Sequence, residues 1–295
     1  MARPLHSYLR FFLHKALPGA FRHNLYLLPY SVYIRRFMKK VDIDHMPLFS
    51  YIEIETINRC NGKCAFCPVN ALERQRPYAK MEDDLYRKII NQLYELKYSG
   101  ELHLFSNNEP FLDPRIIEFA KYAREKVPKA YITIYTNGSL LTLDKVKDIS
   151  QYLDLMVVDN YTEDGAISDT LKEIKEYCEK NERYAEKVQF DDRDPQEVLS
   201  SRGGQAPNKK TTTLFGVKRG CIYPYRQMVI RPDGKCSLCC NDALGKYTMG
   251  DANTESLRDI WYGERYRKIR KRMKKYGRDK LPLCKECDTH FFDKT

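Results

Sequence analysis

From residue 49 the apolar positions of the chain switch repeatedly between two periods. "YIEIETI" (51–57) alternates like a strand and precedes a stretch with helical spacing around 82–97. "ELHLFS" (101–106) precedes another around 114–126, in which Ile116, Phe119, Ala120, Ala123 and Val127 share a face. "AYITIYT" (130–136) leads through "NGSLLTLDKVKDISQY", "DLMVVDN" (154–160) leads to a helix around 168–180, and "KVQF" (187–190) follows. Strands alternating with helices predict a parallel α/β sheet or barrel, whose ligands sit at the C-terminal strand ends.

The rhythm stops near residue 200, at "SSRGGQAPNKKTTT", which reads as a linker. A different unit follows. "YRQMVIRPDGKCSLCC" predicts two strands joined at Pro232, Asp233 and Gly234, then a charged helix from about Ser256 to Lys275 and a closing "LCKEC". Ahead of the alternation, Leu5, Tyr8, Leu9, Phe12, Leu13 and Ala16 recur at helical spacing until Pro18 and Gly19. Pro29 is expected to open a second helix with Tyr30, Tyr33, Ile34 and Phe37 on one side. The expected organisation is an extension (1–48), an α/β unit (49–205) and a smaller unit (206–295), with no solenoid-type repeat.

At 295 residues, 42% of them hydrophobic, the chain has enough material for one substantial core and a small appendage. No stretch approaches the roughly 20 apolar residues of a spanning helix. Ten cysteines in a Lys-rich chain without a secretory apolar segment point to a reducing compartment, where clustered thiols bind metal. A cytoplasmic location is expected, at the inner membrane face if the extension touches lipid.

The net charge of +11 is uneven, because residues 1–40 hold eight Lys and Arg and no Asp or Glu. Such a basic, aromatic-rich segment either lies in a membrane interface or packs its apolar stripe on the main domain. It is poor in Ser, which argues against a transit peptide. The chain carries no recognised nucleic-acid-binding signature, so no nucleic-acid partner is expected.

The chemistry concentrates in "RCNGKCAFCP", where Cys60, Cys64 and Cys67 fall in one loop directly after the first strand. Three thiols leave a tetrahedral zinc one ligand short. A 4Fe–4S cube held by three thiolates instead keeps one iron open for a substrate or cofactor. The Cys-x3-Cys-x2-Cys spacing, with the aromatic Phe66 before the last cysteine, resembles the signature of radical S-adenosylmethionine (radical SAM) enzymes. In that family the amino and carboxylate groups of SAM bind the open iron, and reduction releases a 5′-deoxyadenosyl radical.

Two more stretches carry the resemblance. "FSNNEP" (105–110) resembles the family's GGEP motif, with Asn107 and Asn108 in place of the glycines. The resemblance implies that Glu109, Asn107 and Asn108 contact the SAM methionine. "YTNGSLL" (135–141) resembles the family's TNG turn and implies Asn137 and Ser139 as partners of the SAM carboxylate or ribose. An ordinary strand-to-helix turn would also use Asn137 and Gly138.

The second unit contains Cys221, Cys236, Cys239, Cys240, Cys284 and Cys287. Its layout resembles a SPASM domain in the shortened "twitch" form, which implies an auxiliary 4Fe–4S cluster on Cys221, Cys239, Cys284 and Cys287. Cys236 or Cys240 could replace Cys239, and a zinc knuckle would use a similar set. Cys178 shares a helical face with Leu171 and Ile174 and reads as a core thiol. Trp261 and Tyr262 read as packing. The run Arg265 to Lys275 reads as a solvated helix face, or as a contact for an anionic substrate or lipid.

Taken together, the resemblance implies a partial (β/α)6 TIM-like barrel followed by a small hairpin-plus-helix SPASM/twitch domain, with SAM and two 4Fe–4S clusters. The three-plus-four cysteine arrangement is similar to that of radical SAM cyclitol dehydrogenases. It implies oxidation of a sugar or cyclitol alcohol to a ketone, the auxiliary cluster accepting an electron and Arg202 contacting the substrate. A lipid-linked glycan is a variant of that substrate suggested by the basic N-terminus. Flavodoxin or ferredoxin is the implied reductant. The other readings are a sugar epimerase with Cys236, Cys240 or Cys178 as hydrogen donor, a peptide maturase, and a non-catalytic zinc and nucleic-acid-binding module.

Overall fold

The computed structural model of the protein describes residues 19–64, 66–71, 75–160, 167–192, 200–207 and 220–289. It opens with α1 (Gly19–Lys40) and continues as β1 (Tyr51–Ile54), α2 (Asp83–Glu95), β2 (Glu101–His103), α3 (Ile116–Lys126) and β3 (Tyr131–Thr136). Next come α4 (Leu143–Ser150), β4 (Leu155–Asn160), α5 (Asp169–Lys180) and β5 (Val188–Asp192). The second unit supplies β6 (Gln227–Ile230), β7 (Lys235–Ser237), β8 (Thr248–Asp251), α6 (Leu257–Tyr262) and α7 (Glu264–Tyr276).

The described strands form one eight-stranded sheet in the order β5-β4-β3-β2-β1-β6-β7-β8. Every neighbouring pair from β5 through to β6 is parallel, whereas β6–β7 and β7–β8 are antiparallel. The sixth parallel strand of the partial barrel is therefore β6, the first strand of the second unit, paired directly with β1. The auxiliary unit is joined to the barrel through main-chain hydrogen bonds, in addition to the chain that connects them.

Strand periodicity sorts the side chains into two faces. Ile52, Ile54, Leu102, Leu104, Ile132, Ile134, Met156, Val158, Met228 and Ile230 point outward and are buried under the helices. Facing them, α2 buries Leu85, Tyr86, Ile89, Ile90 and Leu93 along one stripe. Its Asp83 and Asp84 lie in the first turn, where the helix dipole favours negative charge. The opposite face of the sheet carries Tyr51, Glu53, Glu55, His103, Phe105, Thr133, Tyr135 and Gln227, so the concave interior is largely polar. Stacking of Phe105 on Tyr135 (4.6 Å between centroids) and the edge contact of Tyr51 with His103 (4.4 Å) run along it.

Several elements differ from the sequence reading. Pro29 does not open a helix: α1 runs through it from Gly19, so the break expected after Ala16 marks its start. Residues 1–18, which carry the first expected amphipathic stripe, lie outside the described set. The apolar face of α1 beyond Pro29 packs on the protein, with Tyr30, Ile34 and Met38 buried and Phe37 in edge contact with Tyr225 (5.4 Å). The predicted helix from Ser256 is two helices broken at Gly263, where an added Cβ would lie 2.6 Å from the Asp259 carbonyl oxygen. β8 had no counterpart in the sequence reading.

Trp261 is fully buried, donating from Nε1 to the Pro47 carbonyl at 2.9 Å, whereas Tyr262 is 39% exposed with the Arg258 guanidinium over its ring at 5.8 Å. The basic run of α7 is solvated except at Arg270, whose guanidinium is buried against Trp261 (4.0 Å) and Tyr266 (4.7 Å). Cys178 is buried beside Leu171 and Ile174, as its helical spacing predicts.

Candidate functional site

The cysteine loop leaves β1 and crosses the C-terminal ends of the strands. Cys60, Cys64 and Cys67 are all half-buried. A Cβ built on Gly62 would lie 3.4 Å from Cys60 Sγ and 3.6 Å from Cys64 Sγ, so both thiols face one hollow that glycine leaves open. Cys67 closes the turn by donating its backbone N–H to the Cys64 carbonyl at 3.1 Å. Burial pushes the Cys60 thiol up to about 11, and the neighbouring Cys67 and Cys64 add to the rise. The Cys60 thiol would have to lose its proton to bind a metal. Phe66 is half-buried next to them.

Glu109 ties the neighbouring strand ends together. Its carboxylate accepts from Phe111 N (3.1 Å), Thr136 Oγ1 (2.7 Å) and Asn137 N (2.8 Å), while its own N–H donates to the Arg59 carbonyl at 2.9 Å. Burial raises its pKa and the three donors pull it back, which keeps acceptor capacity beside the cysteine loop. Asn137 Nδ2 lies 3.7 Å from Cys60 Sγ and donates to Asn61 Oδ1 at 3.0 Å. Ser139 Oγ donates to Asn137 Oδ1 at 2.6 Å and accepts from Asn61 Nδ2 at 2.8 Å. Asn61, between the first two cysteines, thus belongs to the same network, and no motif singled it out.

The two asparagines of the GGEP-like stretch diverge. Asn107 turns away from the cysteines. Its Nδ2 donates to the Cys240 carbonyl at 3.0 Å, and its Oδ1 accepts from Arg202 Nη2 at 2.6 Å. Asn108 Oδ1 accepts from Ser106 N at 2.9 Å, and its Nδ2 is a buried donor without a partner among the described residues. Asn107 therefore couples the end of β2 to the second unit, whereas Asn108 keeps an unused donor in the same loop.

Below this rim lies a buried polar layer. Glu53 accepts from Tyr51 OH (2.9 Å), Gln227 Nε2 (2.9 Å) and Ser106 Oγ (2.5 Å), and burial raises its pKa against these donors and the nearby Arg202. Glu55 is gripped by Arg76 Nη2 at 2.8 and 2.7 Å, and Arg76 Nη1 reaches the Asn107 carbonyl at 3.0 Å. Arg202, placed in a linker by the sequence, is half-buried in this layer. Its backbone sits at φ 46°, in the left-handed region that a side-chain-bearing residue adopts at a cost of roughly 1–2 kcal/mol. Gly203 and Gly204 continue that conformation. The segment is fixed by Asp288 Oδ1, which accepts from Ser201 N at 2.8 Å.

The three adjacent cysteines of the second unit separate by surroundings. Cys239 lies within electrostatic reach of Cys240, Cys221, Cys287 and Cys284, a group from which one cluster could draw its four thiols. Cys236 is surrounded instead by Arg231, Asp251, Glu255 and Asp233. Cys240 neighbours Glu53, Arg202 and Gln227 as well as Cys287, and burial pushes its thiol up to about 12. Among the described residues no three His, Cys, Asp or Glu side chains close around a single metal ion.

A loop of three half-buried thiols over the strand ends of a partial barrel, followed by a second thiol set, fits a SAM-cleaving iron–sulfur protein with an auxiliary cluster. Family models agree: the radical SAM superfamily matches residues 54–162 and the SPASM iron–sulfur cluster-binding domain matches residues 221–288. The chain thus carries a radical SAM segment and a SPASM segment, and its cofactors are SAM and two 4Fe–4S clusters, one SAM-binding and one auxiliary. It is 28% identical over 242 residues to S-adenosyl-L-methionine-dependent 2-deoxy-scyllo-inosamine dehydrogenase of Niallia circulans, covering 82% of this chain and 93% of the relative.

Among solved structures, BtrN in complex with AdoMet and 2-DOIA superposes with TM-score 0.72 at 27% identity, over 83% of this chain and 94% of that one. BtrN in an open conformation gives 0.61 at 25% identity, over 82% and 94%. Native anSMEcpe with bound AdoMet gives 0.54 at 15% identity, over 82% and 89%, a likeness of fold.

Proposed function

We propose that the protein is a radical SAM dehydrogenase that oxidises a carbinol carbon of a cyclitol or related sugar to a ketone. The observation that carries this reading is the buried layer of Glu53, Arg202 and Asn107, set between the SAM-side loop and the four-thiol unit. The dehydrogenase relative supports the same chemistry. Cys60, Cys64 and Cys67 would hold the SAM-binding cluster, and Cys221, Cys239, Cys284 and Cys287 the auxiliary one, with residues 49–205 and 206–295 as the working units. When bound, SAM and the two clusters supply a 5′-deoxyadenosyl radical for hydrogen abstraction and an acceptor for the remaining electron.

The chain's own residues do the rest. Glu109 offers its carboxylate to the SAM ammonium, while Asn137, Ser139 and Asn61 present amide and hydroxyl groups at the same rim. Arg202 donates to the substrate hydroxyl from a guanidinium already oriented by Asn107 and the Cys240 carbonyl at 3.2 Å. Glu53, with its raised pKa, takes the hydroxyl proton. Loss of one hydrogen atom, one proton and one electron converts the alcohol to the ketone. The outer electron donor is an external one-electron carrier such as flavodoxin or ferredoxin, in the cytoplasm. No helix among the described residues is long and apolar enough to cross a membrane.

The test is anaerobic turnover with dithionite, SAM and a panel of aminocyclitols including 2-deoxy-scyllo-inosamine. Formation of 5′-deoxyadenosine with a product two hydrogens lighter supports the proposal, and a product of unchanged mass overturns it. One observation favours a second reading, epimerisation: Cys240 places a thiol beside Glu53 and Arg202, where it could return a hydrogen atom. In deuterated water an epimerase would incorporate one solvent deuterium at carbon, and Cys240→Ala would abolish it.

A further inference from the structure

Arg278 is 2% exposed and has no carboxylate partner among the described residues. Its guanidinium donates to carbonyl oxygens: Nε to Gly220 (2.9 Å), Nη1 to Cys287 (2.8 Å) and Nη2 to Thr289 (2.6 Å), with Tyr30 OH 3.5 Å from Nη2. A buried cation without a counter-charge costs several kcal/mol. Its closest electrostatic neighbours are Cys221, Cys287, Tyr30 and Cys284, so three of them are thiols of the proposed auxiliary set.

Arg270 shows the alternative. It too is buried without a carboxylate partner among the described residues, but it lies over the rings of Trp261 and Tyr266, and burial pulls its pKa down to about 10. No ring among the described residues lies over Arg278 in this way. It grips the carbonyls of Gly220, next to Cys221, and of Cys287. Buried cation and buried thiols complete each other once the thiols become thiolates on iron.

We infer that Arg278 is the buried counter-charge of the auxiliary cluster and biases that cluster toward its reduced state. A cluster held by four thiolates is anionic and gains one more negative charge on reduction, so a fixed cation beside it stabilises the reduced form more. α1, which lies before both family-matched segments, seals the pair from water. Tyr30 covers the guanidinium, and a Cβ added to Gly220 (φ 151°) would lie 3.0 Å from Met38 Cε and 3.3 Å from Ile34 Cγ1. Exclusion of water leaves the field of Arg278 unscreened. Its catalytic meaning rests on the dehydrogenase reading, in which this cluster accepts an electron.

The test is an EPR-monitored redox titration of the reconstituted full chain carrying Cys60→Ala, Cys64→Ala and Cys67→Ala, so that one cluster gives the signal. It uses neither SAM nor substrate, so its outcome is separate from that of the proposed reaction. Arg278→Gln and Arg278→Met should each lower the reduced-to-oxidised ratio at a fixed potential at least tenfold, about 59 mV for a one-electron couple. Arg278→Lys, which keeps the charge and loses the fork, should stay within threefold of the parent. Neutral variants that titrate with the parent, or a lysine variant that falls as far as they do, overturn the inference. If the neutral variants fail to retain iron, retention by the lysine variant supports it, and loss there as well overturns it.

Discussion

Replacing Glu109 by glutamine tests how the strand ends hold SAM. The carboxylate accepts three hydrogen bonds, from Phe111 N, Thr136 Oγ1 and Asn137 N. In Glu109→Gln the amide oxygen can keep the first two, but the NH2 end then faces Asn137 N, donor against donor, at a cost of about 1–3 kcal/mol. That part appears as lost stability. The loss of a charge-assisted bond to the SAM ammonium is worth a further 1.5–3 kcal/mol or so, which weakens SAM binding by roughly 10- to 150-fold. The assay is anaerobic equilibrium dialysis of labelled SAM against reconstituted protein of matched iron content. A variant Kd within twofold of the parent would refute the assignment of Glu109 to SAM.

Glu53→Gln should lower ketone formation about 100-fold or more while leaving iron content and SAM binding unchanged, measured by product quantification under saturating SAM. Cys239→Ala should lose about four irons per chain, whereas Cys236→Ala and Cys240→Ala keep them, read by iron analysis after anaerobic reconstitution. Gly138→Ala forces a side chain onto a φ of 75°, where its Cβ would lie 2.8 Å from Val158 Cγ1 and 3.0 Å from Leu171. It should cost about 1–3 kcal/mol, seen as a lower denaturant midpoint with an unchanged slope.

What the sequence made legible was whatever a local rule dictates. The spacing of Cys60, Cys64 and Cys67 is set by the metal chemistry of one loop, and the strands of the barrel follow from their alternation. Long-range pairing left no local trace: β6 is a four-residue strand whose partner β1 belongs to the other unit. Arg278 and Arg270 hide in or beside a basic run that reads as solvated, since periodicity records which positions share a face without saying what covers them. Glu53 marked a strand, but an acidic residue at an alternate position looks like a solvent face until the sheet curves around it. Arg202 sat in a stretch rich in Gly and polar residues, where the left-handed backbone that aims it into the barrel could not be read.

The most direct measurement is release of 5′-deoxyadenosine by the reconstituted protein under dithionite with SAM, set beside Cys64→Ala. The account predicts nucleoside formation in the parent and none in the variant, which keeps only the auxiliary iron. Equal release by both, or none from a parent with its full iron content, would contradict it.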